Sequence, residues 1–238
     1  TRACTSEFFN ITSEGVRRSP RVAEVSEGAT TQIACFGGST TAGHNVGDEE
    51  TFPHYLEMDL HRRGQRVRVL NYGEGNHATL HAALHLLERC LVGAAPHVAI
   101  FATGQNDCYY GAIDPDGVIP FLDTALMLSQ HTTGQSVPIG SIRDLIPAIV
   151  GDSRTDGDLA GQNERAEMER LFDQVRLRYQ VACRIQDMCR DVWGVRVLRY
   201  WEPSQFAPGA MKSHLVPLLV DAIPGNERAR ALYQICVR

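Results

Sequence analysis

"TQIACFGGSTTAG", residues 31–43, is the stretch on which the fold turns. The apolar core around Ile33, Ala34, Cys35 and Phe36 reads as a β-strand, and Gly37 and Gly38 supply the turn that ends it. Ser39 then stands at the mouth of a helix. A hydroxyl is thereby delivered to the carboxyl edge of a sheet, where open α/β folds bind their ligands. Three familiar loops fail on spacing. A phosphate loop would need Lys after Gly43, a dinucleotide fingerprint would need glycines in other places than 37, 38 and 43, and a nucleophile elbow would need Gly where Thr41 stands. Spacing alone leaves Ser39 between two readings, a nucleophile and a capping or turn serine.

Outward from this stretch, strands and helices alternate. "TFPHYLEMDLHRRG" (51–64) sets Phe52, Tyr55, Leu56 and Leu60 at helical spacing, with Gly64 as a stop. "QRVRVLNYG" (65–73) alternates at Val67 and Val69 and predicts a second strand. "ATLHAALHLLERCLVG" (78–93) places Leu80, Ala83, Leu84, Leu87 and Leu91 on one predicted helix face. "HVAIFATG" (97–104) is a continuous apolar run, as expected of a parallel strand covered on both faces. Beyond Asp107 a turn and a short helix lead into a segment rich in Gly, Pro, Ser and Thr, with 131–160 predicted as an irregular insertion near the active face. A long amphipathic pattern over 161–193 carries Met168, Leu171, Phe172, Val175, Ala182, Ile185 and Cys189 on one stripe. "GVRVLRYW" (194–201) predicts another strand and "GNERARALYQIC" (225–236) a terminal helix. The alternation predicts one α/β domain over 1–238, a parallel sheet of about five strands with helices on both faces, and an extended arm at 1–30 laid over it.

Composition narrows the function classes. A chain of 238 residues with 43% hydrophobic content can bury an extensive core, and its formal charge of −5 comes without any Lys/Arg block that would grip phosphates. Nucleic acid is not an expected partner. No apolar run approaches the roughly 18–20 residues needed to span a bilayer, and "TRACTSEFFN" lacks the apolar core of a signal peptide. The expectation is a soluble domain, leaning intracellular, with a removed upstream signal or anchor left open. Seven cysteines without a CxxC pair indicate neither a complete disulfide framework nor a zinc site, so Cys35, Cys183, Cys189 and Cys236 read as buried free thiols. Asn10-Ile11-Thr12 is a glycosylation sequon of the kind that arises by chance.

Two further loops follow predicted strands. "ATGQNDCYYG" brings Asn106 to the same sheet edge as Ser39, and an Asn amide there can donate to a developing oxyanion, a contact whose loss costs roughly 100- to 1000-fold in rate. The alternative is that Asn106 and Asp107 only cap the next segment. "NYGEGNH" adds Gly73 and Gly75, which allow close backbone approach, so a backbone N–H there could complete the hole. His77, His81 and His85 recur every fourth residue, a spacing that can chelate a metal, but they flank the predicted apolar face and read as a solvated stripe. "RYWEPSQF" (199–206) either lines a cleft or packs its aromatics on the core.

"CFGGSTTAG", "NVGDEETFPHYLE", "VLNYGEGNHAT" and "PHVAIFATGQND" resemble, in order and spacing, the successive blocks of the SGNH (GDSL-like) hydrolase superfamily, in its Gly-Gly-Ser-Thr-Thr branch. The likeness covers roughly residues 30–110, and "FFNITSEGVRRSP" resembles the extension that precedes the first block in some members. The resemblance implies a flavodoxin-like three-layer α/β/α fold and a serine hydrolase or acyltransferase acting on a small-molecule oxygen ester, without metal or organic cofactor. It implies Ser39 as nucleophile, a backbone N–H at Gly75 or Asn76 and the Asn106 side chain as oxyanion donors, and Asp221 as the carboxylate that orients the base. The departure is at "LLVDAIPGNERARALYQ". The family's Asp-x-x-His would place the general base three residues after Asp221, where this chain has Pro224.

A serine hydroxyl is almost un-ionised at neutral pH and needs an adjacent base, and losing the base of a Ser-His-Asp triad costs about a million-fold in turnover. His214, His44 and His77 are the candidate substitutes, beside a residue missing between Ile223 and Pro224. The competing expectation is an impaired SGNH domain that binds an acylated or carbohydrate ligand without turning it over.

Overall fold

The computed structural model describes residues 5–6, 8–18, 28–113, 162–202 and 226–236. Its elements run β1 (Thr31–Gly37), α1 (Ser39–Ala42), a 3₁₀ turn at Asp48–Glu50, α2 (Phe52–Arg62), β2 (Val67–Gly73), α3 (Thr79–Leu91), β3 (Val98–Thr103), α4 (Gln105–Ile113), α5 (Gln162–Trp193), β4 (Arg196–Trp201) and α6 (Asn226–Cys236). The four described strands form one sheet in the order β2-β1-β3-β4, and every pairing is parallel. This is the flavodoxin-like order, in which the chain reverses its winding direction between β1 and β3. The register sets Gly37 opposite Gly73 on one side and opposite Ala102 on the other. Because all strands point the same way, the segments that follow β1, β2 and β3 emerge side by side at one edge.

The sheet is covered on both faces, which makes three layers. On one face Ala34, Phe36, Leu70, Tyr72, Ala99 and Phe101 pack with Ala82, Leu86 and Cys90 of α3 and Cys189 of α5. On the other, Ile33, Cys35, Val67 and Val69 pack under Leu56 and Leu60 of α2. Alternation along β1 assigns each side chain to its face, since successive Cβ atoms point oppositely. At the centre, the Phe36 ring stacks between Tyr72 at 5.3 Å and Phe101 at 5.2 Å, one aromatic from each of three adjacent strands. A further cluster joins Cys108 of α4, Leu171 and Val175 of α5, and Leu232 and Tyr233 of α6.

Two helix faces differ from expectation. In α3 the buried residues are Thr79, Ala82, Ala83, Leu86 and Cys90, whereas Leu84 and Leu91 are exposed. The stripe is rotated because α3 is pressed between the sheet and α5, where small side chains permit the closest approach. In α2, Phe52 and Tyr55 are exposed, and Pro53 and Glu57 are buried in their place. Burial pushes the Glu57 carboxyl above its ordinary pKa, and the Arg18 guanidinium, 3.4 Å away, opposes that shift. The stripe predicted for α5 agrees at Leu171, Val175, Ala182 and Cys189, all buried.

Residues 8–18 of the arm lie against the sheet through isolated bridges. Arg17 pairs antiparallel with both Ile11 and Asn71, and Val16 is buried in the main core. Asn10 donates its side-chain amide to Asp48, which places the sequon asparagine in a protein contact. Cys35, Cys90, Cys108 and Cys189 are buried free thiols, with Cys183 and Cys236 half-buried. No described helix is long and apolar enough to cross a membrane.

Candidate active site

Ser39 is the first residue of α1, a single turn that begins directly after Gly38, and it is exposed. Gly37 and Gly38 are required here by space. A Cβ on Gly37 would meet Thr41 Oγ1 at 2.1 Å and the Ala102 carbonyl at 2.4 Å, and one on Gly38 would meet Asn106 Nδ2 at 2.6 Å. The Asn106 amide is therefore packed against the residue that precedes the serine. Asn106 Nδ2 also donates to the His77 carbonyl at 2.9 Å, which ties the loop after β3 to the loop after β2. Ser39, Asn106 and the 74–77 loop converge at the switch point, as their sequence positions predicted.

Asn76 carries φ of 65° and is the one non-glycine residue with positive φ among those described. Asn tolerates the left-handed region better than other residues with a Cβ, so it stands where glycine would be the ordinary choice. Gly75, beside it, is covered by the His44 ring, whose Cε1 would lie 2.6 Å from an added Cβ. Gly73 is pressed against the backbone of Thr41 and Ala42, 2.2 Å from an added Cβ to the Ala42 nitrogen, so β2 and α1 are in backbone contact.

Around these groups lies a second tier of contacts that the sequence did not forecast. Asp107 accepts from the Thr79 amide at 3.0 Å and from the Thr79 hydroxyl at 2.8 Å, and that hydroxyl also reaches Thr103 Oγ1 at 2.8 Å. Burial raises the Asp107 pKa, and the bonds from Thr79 oppose the rise. Asp107 thus caps the N-terminus of α3, the helix after β2, and not the segment that follows it, where the capping alternative placed it. Asn71 Nδ2 donates to the Thr41 carbonyl at 2.8 Å, and its Oδ1 accepts from the Gly73 amide at 2.9 Å. Glu202, just past β4, is buried, and burial raises its pKa against a hydrogen bond from the Thr40 side chain. None of these roles has a sequence period. They follow from which strand ends the sheet order makes neighbours.

The histidines are not a solvated stripe. His77, His81 and His85 are each half-buried, and burial lowers the pKa of all three, to about 4 for His77 and for His81. His77 and His81 stack at 5.2 Å, His77 Nε2 lies 3.4 Å from Glu74, and His85 meets the edges of Tyr72 and Phe36. The rotation of α3 that exposed Leu84 brought His85 onto the core. Among the described residues, no group of three or more His, Cys, Asp or Glu side chains is arranged to hold a metal ion. Of the candidate bases, His77 is engaged with Glu74 and His81, and His44 lies between Gly75 and the edge of Phe9 at 6.2 Å. His214, Asp221, Ile223 and Pro224 lie outside the described residues, as does the 131–160 insertion. Of the aromatic pair at the end of β4, Trp201 packs on Gly104, Tyr179 and Tyr233, as the core reading has it, whereas Tyr200 is exposed.

No protein-family model and no curated protein matches the sequence. Similar solved structures include AlinE4, an SGNH-hydrolase family esterase, at 18% identity over 85% of this chain and 96% of that one, with a TM-score of 0.34. The psychrotrophic esterase EstA from Pseudoalteromonas sp., inhibited by monoethylphosphonate, is similar at 12% identity over 86% and 93%, TM-score 0.35. A member of the lipolytic G-D-S-L family from Veillonella parvula DSM 2008 is similar at 16% identity over 87% and 95%, TM-score 0.32. At TM-scores this low the likeness decides nothing. The class, a parallel α/β protein with flavodoxin-like strand order and a polar cluster at its switch point, rests on the strand order and the contacts above.

Proposed function

We propose that the chain is a single SGNH-type domain and a serine-dependent hydrolase or acyltransferase acting on a small oxygen ester. The observation that carries this reading is the Asn106 amide packed on Gly38, next to Ser39, and held there by the His77 carbonyl. Ser39 Oγ attacks the ester carbonyl carbon while its proton passes to a general base. The carbonyl oxygen becomes an oxyanion held by the Asn106 amide and by backbone N–H groups at Ser39 and at Gly75 or Asn76. The alcohol leaves with the proton, and water or an acceptor alcohol then releases the acyl group from Ser39. Asp221 orients the base, which is one of His214, His44 and His77 or a residue missing between Ile223 and Pro224 in this sequence.

Short p-nitrophenyl esters test the reading. Wild-type chain should hydrolyse them and Ser39→Ala should lose at least about 1000-fold in kcat/KM, the scale set by removing an activated nucleophile. Equal rates would sink it. The absence of His after Asp221-Ala-Ile favours a second reading, an impaired domain that retains ligand binding. Under that reading neither chain turns the ester over, while both bind a non-hydrolysable phosphonate analogue.

A further inference from the structure

The arm segment 8–18 makes contacts that its irregular sequence did not forecast, and they converge on the turn that carries Ser39. The Arg17 side chain is 2% exposed, and its Nε bonds Asp48 Oδ1 at 2.7 Å. One terminal nitrogen donates to the carbonyls of both Ala42 and Gly43, and the other to the carbonyls of Val46 at 2.6 Å and Phe8 at 3.1 Å. Five acceptors on one guanidinium use the full planar fork, a geometry that Lys cannot reproduce.

The last carbonyls of any helix lack intrahelical partners, and α1 is so short that this describes nearly all of it. The Gly38 carbonyl accepts from Ala42 at 3.0 Å and the Ser39 carbonyl from Gly43 at 2.8 Å. Thr41 is taken by Asn71, and Ala42 and Gly43 by Arg17. A single turn has no stability of its own, because helix nucleation is unfavourable without tertiary support. Its place is set by β2 from below and by the arm from the side. The arm reaches the facing loop as well, since the Arg17 guanidinium lies over the Phe9 ring at 4.3 Å, Phe9 meets His44, and His44 covers Gly75.

We propose that Arg17 is a positioning residue for Ser39: by collecting the carbonyls that follow the serine turn, it fixes the nucleophile against the 75–76 loop, so that the arm is part of the active-site scaffold. The proposal rests on the reading of Ser39 as the nucleophile. Displacing a reacting group by about 1 Å can cost about 100-fold in rate, so small shifts of α1 matter to the chemistry more than to binding.

The test compares Arg17→Gln, Arg17→Lys and Arg18→Gln in the full chain, by ester kinetics, thermal unfolding and amide hydrogen exchange. Arg18 is the control, because it lies on the same arm but pairs with Glu57 under α2. Arg17→Gln should lower kcat by about 10- to 100-fold with KM within about twofold. Amides of 40–46 should exchange at least about 10-fold faster while those of β3 keep wild-type rates. Arg17→Lys should retain part of the activity and serves if the Gln variant fails to fold. Unchanged exchange over 40–46 in both Arg17 variants overturns the proposal, as does an equal kcat loss in Arg18→Gln at matched thermal stability. A wild-type chain that hydrolyses no ester defeats the functional reading instead, and the exchange measurement then decides the positioning claim alone.

Discussion

Two contacts of Asn106 bear on the choice between a cap and the proposed oxyanion donor. A cap would turn its side chain back to its own helix, yet Nδ2 faces Gly38 and bonds the His77 carbonyl across the cleft. Asn106→Ala should lower kcat by about 100- to 1000-fold with a much smaller change in KM, because the donor acts most strongly on the charge that develops in the transition state. Steady-state hydrolysis of a p-nitrophenyl ester reads this directly, and a loss confined to KM would assign Asn106 to substrate binding instead. The placement of Ser39 and Asn106 at one sheet edge was legible because each follows a strand ended by glycine. For the backbone donor the sequence left Gly75 and Asn76 both open, and the structure adds that the loop turns left-handed at Asn76, whose φ is 65°. Arg17 was not legible. Nothing in "GVRRSP" distinguishes an arginine buried against five acceptors from one that faces water, since both need only a charged side chain on an extended strand.

At the scale of the element, α3 carries its own pH dependence. The Ala78 amide donates to His81 Nδ1 at 3.3 Å, which requires a neutral imidazole at the N-terminus of the helix, and a proton there would also oppose the helix dipole. His77 and His81 titrate at about 4, chiefly through burial, against an ordinary value near 6.5. The folded state therefore binds fewer protons than the unfolded state between these limits, so the contribution is complete above pH 6.5 and is lost as pH falls towards 4. His77→Gln and His81→Gln together should flatten the fall in melting temperature over that window, measured by thermal unfolding at stepped pH. An unchanged slope would place the acid sensitivity in other groups. The existence and order of the elements were visible as apolar periodicity, but the buried face of α3 was not. Leucine and alanine both satisfy the pattern, and close packing between the sheet and α5 selected the smaller set, exposing Leu84 and drawing His85 onto Tyr72 and Phe36.

At the scale of the molecule, the stack of Tyr72, Phe36 and Phe101 ties β2, β1 and β3 together beneath the strand ends that carry the site. Phe36 is fully buried, and Phe36→Ala should destabilise the fold by about 3–5 kcal/mol, the usual cost of a large cavity. Denaturant unfolding with a shift of midpoint at constant slope is the expected result, and a loss under about 1 kcal/mol would show that the three-strand stack is not the centre of the core. By itself the sequence determined the layered α/β class, the strands and the three loops that follow them, because alternation of apolar runs and glycine stops is a local property of the chain. The tertiary structure decided the rest. Strand order makes the ends of β1 and β3 neighbours and so brings Asn106 to Gly38, beside Ser39, while β2 on the other side of β1 brings Thr79 within reach of Asp107 and seats Arg17 near the carbonyls of the serine turn. These contacts join residues 25 to 68 positions apart in "CFGGSTTAG", "NHAT", "TGQND" and the arm, and no local pattern encodes them.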